Sequence, residues 1–132
     1  MTYTRSLTGI VTVGILLLTL QPAKADDAAK EISTAAAHAG LAAGSTDIKM
    51  VQTHLQHVVN CLVGPDGAGF DAKQANPCKD QGAGAIPDAA MDKKAGLEVA
   101  LKMAKEAAAE TDVAKAKEQA AATQVVLRKL VM

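Results

Sequence analysis

The sequence predicts an all-α protein, an antiparallel four-helix bundle with a disulfide-stapled loop between helices two and three. Three observations carry this reading. Apolar residues recur at steps of three and four along the better-defined stretches. Alanine, the best helix former, dominates the first stretch. A long segment, Gly64 to Asp88, is broken by glycines and prolines, and a cysteine pair, Cys61 and Cys78, is placed to tie it down.

The chain has 132 residues, and residues 1–25 read as a signal peptide, not as fold. "MTYTRS" carries Arg5, Leu7 to Leu20 is an apolar run, and Ala23 to Ala25 ("AKA") puts small residues before a cut ahead of Asp26. An uncleaved membrane anchor is the other reading of this run, which is short for a span. Residues 26–132 then form a single helical domain: a helical hairpin over 26–63, the stapled loop over 64–88 and a second hairpin over 89–132. The expected location is periplasmic or secreted, with no membrane attachment after the leader is removed.

The first helix is "DDAAKEISTAAAHAGLAAG", with Asp26 or Asp27 as cap and Gly44 as stop. Alanine lies on every side, so composition does not choose its buried face. The second, "STDIKMVQTHLQHVVNCLVG", starts at Ser45 or Thr46 and ends at Gly64-Pro65. Ile48, Val51, Leu55, Val58 and Leu62 form its core stripe. Met50, His54, His57 and Cys61 follow the same steps one residue earlier, about 100° round the helix.

The loop follows, with Phe70 and Ile86 as the apolar plugs expected to dock it. A disulfide between Cys61 and Cys78 is the expected state in an oxidising compartment and is worth about 3 kcal/mol by chain entropy. Pro87 suits the first turn of the third helix. Leu97, Leu101, Ala104 and Ala108 are its expected core stripe, and Val113, Ala116, Ala120, Leu127 and Leu130 that of the fourth. A tight bend near Glu110 to Asp112 separates the two, although no glycine or proline enforces it; one unbroken helix would be too long for the others to cover.

Composition excludes several functions. Losing Arg5 and Lys24 with the leader leaves twelve basic against fourteen acidic side chains, so no basic face argues for nucleic acid. Phe70 is the one aromatic remaining, which argues against stacking on bases or sugars. HExxH, GxSxG and GxxxxGK[ST] are absent. The serines Ser33 and Ser45 offer no credible nucleophile, so no enzyme activity is expected. Asp66 and Asp71 lack the alternating ladder of a calcium loop and fit turn chemistry.

The histidines remain. His38 and His54 fall at similar depths in a hairpin of the first two helices, and His57 lies on the face of His54, three residues on. Converging neutral imidazoles suit a divalent transition metal, copper or zinc, with Met50 as a further ligand and Glu31 or Gln52 as spare oxygen donors. Cys61, as a disulfide partner, is no thiolate ligand. Haem is disfavoured: there is no CxxCH motif, and no aromatics wall a macrocycle, although Met50, Met91 or Met103 could pair with a histidine. The bland alternative is a non-enzymatic interaction or stress-related module without a ligand, using the stapled loop as its contact surface.

The segment "HLQHVVNCLVGPDGAGFD…NPC" with "GAGAIPD", His54 to Asp88, resembles a signature of small, uncharacterised exported bacterial proteins. No activity comes with that resemblance. The histidines on alanine-rich helices are also similar in style to small periplasmic metal-binding proteins, without the histidine repeat that metal storage would use.

Overall fold

The computed structural model describes residues 25–132, with side chains from Ala28 onward. The expected leader therefore lies outside the described residues, apart from Ala25. The described chain is a helical bundle: α1 (Ala25–Gly44), α2 (Ile48–Val63), α3 (Ala85–Asp88), α4 (Met91–Ala109) and α5 (Val113–Val131). No described helix is long and apolar enough to cross a membrane.

Alanine packing sets the geometry. On α1 the buried apolar positions are Ala28, Ile32, Ala35, Ala36, Ala39 and Ala42, a stripe at helical spacing that resolves the face composition left open. Side chains this small let neighbouring helices approach toward the short end of the usual interaxial range, about 8 Å. On α2 the expected stripe is in place, with Val51, Leu55, Val58 and Leu62 fully buried, while Ile48 is only partly covered near the helix start. Leu97, Leu101 and Ala104 on α4 and Ala116, Ala120 and Leu127 on α5 complete the core. Val113, expected inside, is 37% exposed, because the chain has only just left the bend there. Ala108 and Leu130 are partly buried at the core margins.

Within each hairpin, α1–α2 and α4–α5, the helices run in opposite senses. Ala42 near the end of α1 shares a cluster with Val51 and Leu55 near the start of α2. At the other end, Cys78 Sγ lies 3.6 Å from the Glu31 carbonyl oxygen, with Cys78 bonded to Cys61. Lys93 Nζ at the start of α4 donates to the Leu130 carbonyl at the end of α5, at 2.6 Å. Gln124 of α5 crosses to α1 and donates to the Ala36 carbonyl at 3.2 Å.

The caps depart from expectation in instructive ways. Ser45 and Thr46 do not start α2; Asp47 does, and its carboxylate accepts from Met50 N at 2.9 Å. A charged acceptor aimed at the helix N-terminus outcompetes the hydroxyls, and Ser45 Oγ instead donates back to the Leu41 carbonyl. α1 opens at Ala25, which puts Asp26 and Asp27 inside its first turn. Pro87 does not open the third long helix: it sits within the one-turn α3, and α4 begins at Met91. That turn also means the end of the loop segment is helical, contrary to the all-loop expectation. The bend between α4 and α5 falls where expected, and Asp112 caps α5 through Lys115 N at 2.9 Å. In place of a glycine, Glu110 makes the corner: Oε1 accepts from Thr111 N and Asp112 N at 2.9 and 3.2 Å, and Oε2 pairs with Lys115 Nζ at 2.7 Å. These donors, led by Lys115, pull the Glu110 carboxyl down to about 2.

The loop is tied at several points. The Cys61–Cys78 disulfide is formed. Phe70 and Ile86 pack against the main core, as expected of apolar plugs. Gly64 (φ 70°) and Gly84 (φ 121°) press backbone against backbone, and a Cβ on Gly64 would overlap the Ala83 carbonyl oxygen.

Asn60, buried on α2, clamps the loop with all of its hydrogen-bonding capacity. Its Nδ2 donates to the Asp71 and Ala75 carbonyls, each at 3.1 Å, and its Oδ1 accepts from Asp71 N at 2.9 Å and Gln56 Nε2 at 3.1 Å. Truncating it strands loop backbone groups against the core. Asn60→Ala is therefore expected to lower unfolding stability by about 2–3 kcal/mol. A urea midpoint unchanged from wild type would contradict that role.

Candidate metal centre

His38 comes from α1, and His54 and His57 come from α2. The alanines flanking His38 on the buried stripe, Ala35, Ala39 and Ala42, let α1 lie close enough to α2 for short imidazoles to meet. His54 and His57, three residues apart, project from one face of α2 toward it. The ring centroids form a near-equilateral triangle with sides of 5.5, 5.0 and 5.6 Å. All three residues are half-buried.

His38 Nδ1 lies 3.3 Å from His54 Nδ1 and 3.3 Å from His57 Nδ1. One ring nitrogen from each residue can be chosen so that all lie within 4.8 Å of one another, a set able to hold a metal ion. Two such contacts to a single Nδ1 are awkward for the rings alone. A neutral imidazole nitrogen carries either one proton or one lone pair, so His38 Nδ1 can serve only one partner well. A metal ion reverses this, because it accepts a lone pair from each ring. Tetrahedral zinc with bonds of about 2.0–2.1 Å places its nitrogen ligands about 3.3–3.4 Å apart, which matches both His38 contacts.

The electrostatics favour the neutral rings that a metal needs. Desolvation, and then the neighbouring His57 and His54, lower the His38 pKa from 6.5 to about 4. His57 is also lowered, by desolvation first and by His54 second. Both rings are thus unprotonated at neutral pH with their lone pairs available.

A pH dependence follows. The folded His38 binds its proton more weakly than the unfolded chain does, at about 4 against 6.5. The unfolded state gains protons first as pH falls, so the stability this ring contributes is complete above 6.5 and is lost toward about 4. The metal-free protein is expected to melt at progressively lower temperature across that window, and His38→Ala to flatten the decline. Parallel melting curves for the two proteins would contradict it.

Of the other expected donors, Glu31 and Gln52 serve the fold. Met50 is one turn before His54 on the same face, and at 46% exposure it sits on the rim. Glu31 is buried toward the disulfide end, and its Oε1 accepts from Gly84 N at 2.8 Å. Gln52 donates to the Glu110 carbonyl at 3.0 Å, so it too serves the fold. Cys61 is fully buried in its disulfide. Among residues near the site, sequence reasoning missed Asn60, one turn past His57. Its signal was a polar residue inside an apolar helix end, beside the cysteine.

Fold and site together define a disulfide-stapled helical bundle with a three-histidine cluster between its first two helices. Compared with known proteins, the chain matches no family model, no curated protein and no solved structure.

Proposed function

We propose that this protein binds one divalent transition metal ion, copper or zinc, through His38, His54 and His57, and does so without catalysing a reaction. The observation that carries the reading is the double approach to His38 Nδ1, 3.3 Å from each of its partners. Hydrogen bonding alone leaves that arrangement half-satisfied, and a metal ion satisfies all three lone pairs. The disulfide supports an exported protein, since such bonds persist in oxidising compartments. The periplasm or the exterior is accordingly the proposed location.

Met50 is assigned to the rim: its thioether is 46% exposed, and the three imidazoles already supply the nitrogen set. Calorimetric titration with zinc and with copper(II) tests the assignment. One ion per chain is expected for the wild type, and none at comparable affinity for the His54→Ala, His57→Ala double variant. Equal titrations of the two proteins would end the metal reading and leave the interaction module as the alternative.

A further inference from the structure

We infer that the ion held by His38, His54 and His57 keeps a fourth coordination position open to solvent, and that this position takes a small anion. The inference rests on the three-histidine reading above and specifies what that site does next.

The histidine cluster supplies three donors. Among the described residues, no further histidine, cysteine, aspartate or glutamate joins the cluster. A four-coordinate ion with three protein ligands completes its shell with water or an exogenous ligand. The half-burial of all three rings leaves that approach open.

Charge then selects the class of ligand. Three neutral imidazoles leave the full dipositive charge on the ion. Metal-bound histidines commonly have carboxylates behind them, and here the helix positions that would supply them are all uncharged. One turn either side of His38 are Thr34, Ala35, Leu41 and Ala42. Around His54 and His57 the same positions hold Met50, Val51, Thr53, Val58, Asn60 and Cys61. The preceding acids on these helices, Glu31 and Asp47, are each seven residues before a histidine, about 10 Å along the axis. Asp47, moreover, is committed to its cap. An incoming anion therefore meets an ion that no nearby carboxylate of α1 or α2 has neutralised. The flanking Leu41 and Met50, 52% and 46% exposed, put no negative charge on the rim to oppose an anion.

Cobalt(II), a spectroscopic substitute for zinc, gives the test. The cobalt-loaded protein is titrated with sodium azide while its visible bands are followed. A saturable band shift is expected, and Leu41→Glu, which places a carboxylate one turn from His38, should weaken azide binding several-fold. A cobalt spectrum that azide leaves unchanged overturns the open position. If Met50→Leu then restores the response, the thioether fills that position instead. Azide binding indifferent to Leu41→Glu overturns the charge argument. Failure to bind cobalt, zinc or copper at all overturns the histidine site itself, and is distinguishable because no metal spectrum appears before azide is added.

Discussion

Replacing His38 with alanine should lower zinc affinity by roughly a hundredfold or more, since losing even an outer partner of a ligand typically costs 10–100-fold. His38 is the cluster's sole histidine from α1, and both short nitrogen contacts run through it. Without it, α2 still offers His54 and His57 from one face, a weaker two-point grip. The metal-free protein should respond differently. At neutral pH His38 is an uncharged, half-buried ring, so alanine there should change metal-free stability far less than it changes zinc affinity. A purely structural histidine would behave in the opposite way, with stability falling and metal affinity unmoved. Zinc titration beside thermal melting of the metal-free variant separates the two. Binding also stabilises the folded state by mass action, by about 2.7 kcal/mol at a hundredfold excess over Kd. The melting temperature should therefore rise with zinc in the wild type and barely move in His38→Ala.

Removing the disulfide should have the largest effect on the fold. Cys61 and Cys78 are 17 positions apart, and closing such a loop is worth about 3 kcal/mol. Few small domains have much more than 5–15 kcal/mol in total. The core here is built largely from alanine, which buries little area per residue. Asn60 and the Gly64–Gly84 contact hold the same loop, so the paired Cys61→Ala, Cys78→Ala variant should fold yet unfold at clearly lower urea. It should also weaken metal binding, because Cys61 anchors the turn of α2 immediately after His57. A loss below about 1 kcal/mol in the urea midpoint analysis would show that the loop is held mainly by its hydrogen bonds.

The sequence displays what periodicity encodes and hides what local chemistry decides. The core stripe of α2 is legible because Leu55 stands between polar neighbours and Val51, Val58 and Leu62 keep its spacing of three and four. The stripe of α1 is not, because alanine inside and alanine outside look alike. The meeting of His38 with His54 and His57 could be anticipated from their depths in a hairpin, a matter of rise per residue. Which ring nitrogens face one another depends on side-chain rotation, and no spacing rule carries that. Pro87 misplaces the start of the third long helix because a proline fits the first turn of any helix, including the single turn of α3. The Glu110 corner and the Asn60 clamp use side-chain hydrogen bonds to distant or irregular backbone, invisible to pattern reading. Asp47 displaces Ser45 and Thr46 as cap because an ionised acceptor interacts more strongly with the helix end.

The central claim, that three imidazoles converge on one ion, is tested most directly by X-ray absorption at the zinc edge of the loaded protein. Three histidine nitrogens at about 2.0–2.1 Å, with one further oxygen or nitrogen ligand completing the shell, is the predicted result. A shell with one imidazole or none, or one unchanged in the His54→Ala, His57→Ala variant, would contradict it.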